Sequence, residues 1–313
     1  MPSVLAILLA LIAAAGYGGS DFAAGLASRR ASVIRVTLMS QAVSVAVVGL
    51  ALALAGAHPP SVRAVAWGGV AGLAGMAGAL ALYIGFRHAA FSVAGPLSAV
   101  GAAGFSVLAG LLLGERPTAV ALTGIVLALP AIVGVSASAR APSGEDGPPA
   151  ESPVPPVPSV PPAFPAHPGV AGRRAPLGVI YGLVAGACFA LLFIGLDEAG
   201  SGSGLWPVFS GQSAALIGVA CVAAVTRDLR LPEARGGWLA ALTGITGAPA
   251  TICYFLATHH GLLAITAVIT SLYPAVTILL ARVLLGERLT AFRLTGLLLA
   301  AASVSLIAVG GSG

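Results

Sequence analysis

The sequence predicts an all-α integral membrane protein with ten transmembrane helices, arranged as two inverted five-helix repeats. Three observations lead to this fold class. The 313 residues are 58% hydrophobic and only 8% charged, whereas an ordinary soluble domain has roughly 25% charged residues. Ten stretches are long enough to cross a bilayer, which takes about 20 apolar residues at the 1.5 Å rise of a helix. The second half of the chain also repeats the first.

The ten predicted helices form two groups of five, separated by a proline-rich stretch. They cover residues 4–26, 36–56, 64–86, 90–113 and 119–139, then 177–196, 206–226, 237–258, 262–285 and 291–310. The first stretch lacks the basic start of a secretory signal and continues past a plausible cleavage length, so we interpret it as a retained helix. The three predicted units are two helical repeats, 1–139 and 177–313, and an extended linker outside the bilayer, 140–176.

The repeat is clearest near the end of each half. Residues 112–124 read LLGERPTAVALTG, and residues 284–296 read LLGERLTAFRLTG, with ten of thirteen positions identical. Because each half has an odd number of helices, the two halves must insert upside down relative to each other. Inverted repeats of this kind are a common construction of secondary transporters, in which they underlie alternating access.

The arginines predict the orientation in the membrane. Thirteen of the fifteen lie in or beside the odd-numbered loops, and basic residues collect in short cytoplasmic loops. We therefore predict a multi-pass protein of the cell membrane, with the odd-numbered loops and the linker cytoplasmic and both termini external. The net charge of +5 follows from this loop bias, so it does not indicate binding to nucleic acid.

The sequence resembles the EamA-type permeases of the drug/metabolite transporter superfamily. The resemblance rests on the two GER-T junctions, the run LYPAVTILLARVLLGER and the five-plus-five plan, and the opening GYGGSDFAAGLASRR is similar to the first helix of that family. It covers residues 4–139 and 177–310, and it implies transport of small organic molecules, such as amino acids, metabolites and drugs. The first half has Ala102 where the second has Pro274, so we expect the fourth and ninth helices to bend differently.

Polar side chains at bilayer depth are costly, so they are the candidate transport residues. Asp21, in the first predicted helix, could bind a proton or a cationic group, or pair with an arginine of the loop that follows. Gln41 and Gln212 occupy matching positions in the second and seventh helices, at an offset one shorter than that of the GER junctions. Their amides offer donors and an acceptor for a solute, although such groups also join helices to one another.

A second matched pair lies in the fourth and ninth helices. Ser98 and Thr270 are related by the same offset as the GER junctions, and each hydroxyl could line a cavity or bond its own backbone. Tyr273, beside Pro274, could add an aromatic wall with a polar tip.

The GER junctions are predicted to be structural. Glu115–Arg116 and Glu287–Arg288 lie in tight turns between helices, where the glutamate can cap the next helix and the arginine can meet lipid head groups. The histidine pair His259–His260 has no third ligand within reach in the sequence, so no metal site and no cofactor are predicted.

These features favour a secondary carrier that exports a small organic solute, either coupled to protons through Asp21 or working by facilitated flow. An enzyme is the first alternative, and it is disfavoured because no GxSxG or HExxH pattern occurs and Asp21 is the only clear intramembrane carboxylate. A membrane scaffold or receptor, which would recruit a partner through the proline-rich linker, is the second. The internal duplication is compatible with a monomer or a homodimer.

Overall fold

The computed structural model describes residues 3–28, 30–56, 59–88, 91–136, 175–229, 234–285 and 291–311. Eleven α-helices occupy these residues: α1 Val4–Ser28, α2 Val33–Leu54, α3 Val62–His88, α4 Phe91–Leu112, α5 Ala119–Ser136, α6 Ala175–Glu198, α7 Trp206–Val225, α8 Ala234–Thr258, α9 Leu263–Thr270, α10 Tyr273–Leu285 and α11 Ala291–Gly311. Every predicted helix is represented, and the predicted linker lies almost wholly outside the described residues.

The ninth predicted helix is broken into α9 and α10 at Ser271 and Leu272. Pro274 lies in the first turn of α10, where it has no N–H to bond the carbonyl of Thr270 and its ring would clash with that carbonyl in a continuous helix. The equivalent helix α4 runs without interruption through Ala102. The two helices therefore differ in shape as expected from the proline that only the second has at this position.

The helices are suited to a bilayer. Within the described residues, seven stretches are long and apolar enough to cross a membrane: α1, α2, α3, α6, α7, α8 and the combined stretch Leu263–Leu284. Shorter apolar stretches occur in α4, α5 and α11. Large apolar side chains such as Leu54, Val62 and Leu112 are exposed on the outside of the helices, which is the surface that lipid would cover.

The closest helix pairs join the two halves, and three kinds of pair occur twice. The pair α1–α8 corresponds to the pair α6–α3, and the pair α2–α8 corresponds to the pair α7–α3. The pair α6–α4 corresponds to the packing of α1 on α9 and α10. Helix α5 pairs with its own counterpart, α11. When each helix is replaced by its counterpart in the other half, the same set of helix pairs therefore results, as the sequence repeat suggests.

Glycines at equivalent positions allow these close approaches. A methyl group on Gly72 of α3 would clash with the backbone of Gly211 in α7, and one on Gly244 of α8 would clash with the backbone of Ser40 in α2. Gly72 and Gly244 are equivalent at the offset of the GER junctions, and Ser40 and Gly211 are equivalent at the offset of the glutamine pair. The spatial contacts thus give the same alignment of the halves as the sequence does.

Candidate functional site

A cavity of about 210 Å³ lies between α1, α2, α3, α6, α7 and α8. It is smaller than the usual 300–1,000 Å³ of sites for drug-sized ligands, roughly, so it fits a small solute. It extends from Tyr17 and Thr251 toward Ala24 and Thr37, the end of the molecule that carries the arginine-containing loop between α1 and α2.

Aromatic side chains pack next to the cavity where α6 meets α8. Tyr254, one turn beyond Thr251 on α8, is fully buried, as is its neighbour Phe255. The ring of Phe193 on α6 stacks on that of Tyr254 with 4.4 Å between centroids. Leu196 and Val208 of the cavity lining lie near the same end of the bundle, so this aromatic pair flanks the cavity there.

Asp21 lines this cavity, two turns before the end of α1, and its side chain is exposed there. Arg35 forms a salt bridge with Asp228 at 2.5 Å and Arg63 forms one with Glu198 at 2.7 Å, and neither bridge involves Asp21. Arg29, another alternative partner, lies outside the described residues. Within the described part of the chain, the Asp21 carboxylate thus has no compensating positive charge.

The two matched glutamines also line the cavity. The Nε2 of Gln212 donates to the hydroxyl oxygen of Thr251 at 3.4 Å, and Gln41 forms no side-chain hydrogen bond with another described residue. The structure therefore brings Asp21, Gln41 and Gln212 together on one solvent-accessible surface, which is a requirement for a shared binding site.

Several polar residues of the site were missed by the sequence analysis, and Tyr17 and Thr251 are two that bond each other. The Tyr17 hydroxyl donates to Thr251 Oγ1 at 3.0 Å, and the Thr251 hydroxyl donates to the carbonyl of Gly247 at 3.0 Å. Tyr17 lies four residues before Asp21, so helical spacing alone would have placed both on one face of α1. Thr251 has Ala79 as its repeat counterpart, so a search for matched polar pairs does not find it.

The other predicted cavity residues lie elsewhere. Ser98 on α4 and Thr270 at the end of α9 are fully buried, and neither lines this cavity. Tyr273 packs against the hydrophobic cluster formed mainly by α4, α5, α9 and α11. The six candidates are therefore separated into a group at the cavity and a group in the packed interior.

The sequence profile of the EamA-like transporter family matches residues 4–137 and 176–309, so it covers both halves. The chain belongs to the EamA-like transporter family. The predicted family is thereby confirmed, and the protein is a membrane transporter of the drug/metabolite transporter superfamily. The two matched segments are related by the same offset as the GER junctions, so the family unit coincides with the repeat. No curated protein of similar sequence was found.

A solved crystal structure is similar to this EamA-like transporter. It aligns with a TM-score of 0.69 at 17% sequence identity, over 97% of this chain and 96% of the other. At this level of identity the similarity supports the fold alone.

The GER junction of the first half stabilises a helix of the second half. The Glu115 carboxylate accepts hydrogen bonds from the backbone N–H groups of Leu263 and Ala264, the latter at 2.9 Å, in the first turn of α9. The prediction that Glu115 caps α5 is therefore wrong. Instead, Thr118 accepts from the N–H of Ala121 at 3.2 Å at the start of α5.

The structure says less about the remaining residues of the two GER junctions. Arg116 is exposed, whereas Glu287 and Arg288 lie outside the described residues. Because the described glutamate acts across the boundary between the halves, the motif contributes to how the repeats are joined.

A second carboxylate lies inside a candidate transmembrane helix. Helix α6 continues to Glu198, so Asp197 falls within the span Ile180–Glu198 and not in a loop. The interpretation of Asp21 as the only intramembrane carboxylate is therefore wrong. Asp197 does not line the cavity; it is within hydrogen-bonding reach of Thr258, close to Glu115.

The predicted histidine pair lies beside a second cavity of about 450 Å³, between the ends of α2 and α8 and the loop that joins α6 to α7. The ring Nδ1 of His259 is 2.7 Å from the carbonyl oxygen of Phe255. No group of three or more metal-ligating side chains was found among the described residues.

Proposed function

We propose that this EamA-like transporter is a secondary carrier that exports a small organic solute, and that the solute binds in the cavity next to Asp21, Gln41 and Gln212. The single observation that carries the proposal is the position of the cavity, between matched helices of the two halves. A site on the boundary of two similar halves is reached from either side when the halves exchange their arrangements.

The proposed mechanism is alternating access between two inverted repeats. Five helices in each half imply opposite insertion, and the recurrence of every major helix pair with the halves exchanged supports two arrangements of similar energy. In the arrangement described above, the cavity reaches Ala24 and Thr37 near the predicted cytoplasmic loops, and the stacked rings of Tyr254 and Phe193 lie toward the other end. We interpret this arrangement as inward-open.

Asp21 is the proposed coupling group. It is accessible from the cavity and has no ion-pair partner among the described residues, so its carboxylate is available to a proton. Proteoliposomes containing a trapped pH-sensitive dye would be given a panel of amino acids and amines, with empty liposomes as the reference. The transporter should move protons against the solute, and Asp21→Asn should insert normally but lose this signal; an unchanged signal would exclude Asp21 as the coupling group.

Alternating access can be tested without knowing the solute. A cysteine replacing Ser20, on the cavity wall, would be introduced into a background in which the native Cys188, Cys221 and Cys253 are serine. We expect a membrane-impermeant maleimide to label this cysteine from either side of the membrane, in separate experiments. A control cysteine at the exposed Ser201 should react from one side only. Labelling of the cavity cysteine from one side under all conditions would contradict a carrier.

A further inference from the structure

The cavity has one polar wall and one apolar wall. Helices α1, α2 and α8 supply the polar wall, whereas α6, α7 and α3 supply the apolar wall. The repeat relates α1 to α6, α2 to α7 and α8 to α3, so each wall is the counterpart of the other. The two walls therefore have similar backbone geometry and different chemistry.

The difference is visible position by position. Where two matched positions both line the cavity, the member on the polar wall usually carries the hydroxyl and the member on the apolar wall does not. These pairs are Tyr17 and Phe189, Ser20 and Leu192, Thr37 and Val208, Ser40 and Gly211, Ser44 and Ala215, Thr243 and Ala71, and Thr251 and Ala79. Gln41 and Gln212 are the pair in which both members are polar.

Contacts between helices support the same pairing of positions in the two halves. A methyl group on Gly247 of α8 would meet Ser20 of α1, and one on Gly75 of α3 would meet Leu192 of α6. The two glycines, like Ser20 and Leu192, are related by the offset of the GER junctions. Ser20 and Leu192 therefore occupy equivalent places on opposite walls, which makes their chemical contrast a property of the site.

The hydroxyl protons of the polar wall are already used in hydrogen bonds to other groups. Six hydroxyls donate to backbone carbonyls: Ser20 to Thr243 at 3.1 Å, Thr37 to Val33 at 2.8 Å, Ser40 to Thr37 at 3.0 Å, Ser44 to Gly244 at 3.4 Å, Thr243 to Leu239 at 3.0 Å and Thr251 to Gly247 at 3.0 Å. The Tyr17 hydroxyl donates to Thr251. A hydroxyl whose proton is used in this way offers a ligand only its lone pairs. The wall is consequently rich in acceptors and poor in donors.

The charge of the lining favours a cation. Asp21 contributes a carboxylate, and no lysine, arginine or histidine is among the described residues that line the cavity. A carboxylate on a cavity wall forms its strongest hydrogen bonds with a positively charged donor. An anion would meet this carboxylate and a surface of acceptors, with the amide N–H groups of Gln41 and Gln212 as its donors.

We propose that the solute is a small primary amine without a carboxylate, bound as its ammonium ion. The ammonium group has three donors, which match Asp21 and the hydroxyl oxygens around it, and the apolar body lies along Phe189 and Leu192 on the opposite wall. A cavity of about 210 Å³ limits that body to roughly one ring. This inference names the substrate class of the carrier function proposed above and rests on it.

The test is calorimetric titration of the full-length protein in detergent with four compounds that share one phenyl ring. They are β-phenethylamine, its trimethylammonium analogue, phenylalanine and phenylacetate. The primary amine should bind most tightly. The trimethylammonium ion keeps the charge but has no N–H donor, so its dissociation constant should be at least about tenfold higher. Phenylalanine should also bind more weakly, and phenylacetate should be weakest.

Variants of the two walls make the test specific. Asp21→Asn should weaken binding of β-phenethylamine at least about tenfold, because the charged acceptor of the ammonium hydrogen bond is lost. The matched control is Asp197→Asn, which alters an aspartate near the end of the counterpart helix, outside the cavity, and should bind the amine as the wild type does. Leu192→Ser, which gives the apolar wall the residue of the polar wall, should weaken β-phenethylamine about tenfold and ethylamine less than about twofold.

The outcomes separate the substrate class from the carrier function. Tightest binding of phenylalanine or phenylacetate would overturn the amine proposal, as would equal binding of the amine and its trimethylammonium analogue. Failure of the folded protein to bind any of the four compounds would overturn it as well. None of these results affects the cysteine labelling experiment, which tests alternating access independently. If Asp21→Asn does not fold, Leu192→Ser and the four wild-type titrations still test the amine proposal.

Discussion

Glu115 offers the sharpest test of how the two halves are joined. Helix α9 begins after Leu262, which has no side-chain cap of its own, and the Glu115 carboxylate bonds the N–H groups of Leu263 and Ala264. Those two residues are 1% and 0% exposed, so water cannot readily replace the carboxylate. The variant Glu115→Gln keeps one acceptor oxygen but loses the charge and the second acceptor.

The magnitude follows from these contacts. A hydrogen bond to a charged group contributes about 1.5–3 kcal/mol, whereas a neutral bond contributes about 0.5–1.5 kcal/mol. A negative charge at a helix N-terminus contributes a further 0.3–1 kcal/mol, roughly. We expect Glu115→Gln to lower the free energy of unfolding by about 2 kcal/mol and Glu115→Ala, which leaves both N–H groups unsatisfied, by about 3 kcal/mol. The corresponding fall in melting temperature for Glu115→Gln is about 3 °C, at an unfolding entropy of about 2.1 cal/mol/K per residue.

Thermal unfolding in detergent, followed by intrinsic tryptophan fluorescence, would measure this effect. Arg116→Gln is the matched control, because Arg116 is the next residue of the same motif and is exposed; its melting temperature should change by less than about 1 °C. If Glu115→Gln melted within the same margin of the wild type, the proposed bond between the halves would be refuted.

Three further predictions concern packing, pH and the linker. Gly72→Ala should destabilise the protein by about 2 kcal/mol or more in the same melting assay, because its methyl would meet the Gly211 backbone, whereas Gly69→Ala, which meets nothing within 4 Å, should not. Burial lowers the pKa of His259, so protonation favours the unfolded state and the melting temperature should fall as the pH drops below about 6.5; His259→Gln should reduce that fall. Deletion of residues 142–170 should leave alternating access by cysteine labelling intact, whereas a scaffold acting through the linker would lose its partner binding.

The helices could be predicted because their cause is local. A stretch of about 20 apolar residues needs a helix to satisfy its backbone in lipid, whatever its neighbours are. The break before Tyr273 also has a local cause, since Pro274 removes one donor. The matched positions of Gln41 and Gln212 could be found because the repeat alignment is encoded in the sequence itself.

The contacts that cross between the halves could not be predicted in the same way. The sequence places Glu115 directly before α5, yet its partners Leu263 and Ala264 are in α9. Likewise Thr251 becomes a site residue only because α8 packs on α1, which brings it to the Tyr17 hydroxyl. Such partners depend on tertiary packing, and no spacing along the chain specifies them.

The duplication accounts for both the likeness and the contrast of the two cavity walls. Equivalent glycines keep equivalent roles: Gly72 and Gly244 each meet the backbone of a neighbouring helix, and any larger residue would separate the halves. Ser20 and Leu192 also occupy equivalent places, against Gly247 and Gly75, yet one carries a hydroxyl and the other an apolar chain. The proposed exchange between two arrangements requires similar backbones, whereas recognition of a solute requires unlike walls. Equivalent glycines beside contrasting side chains satisfy both requirements in one fold.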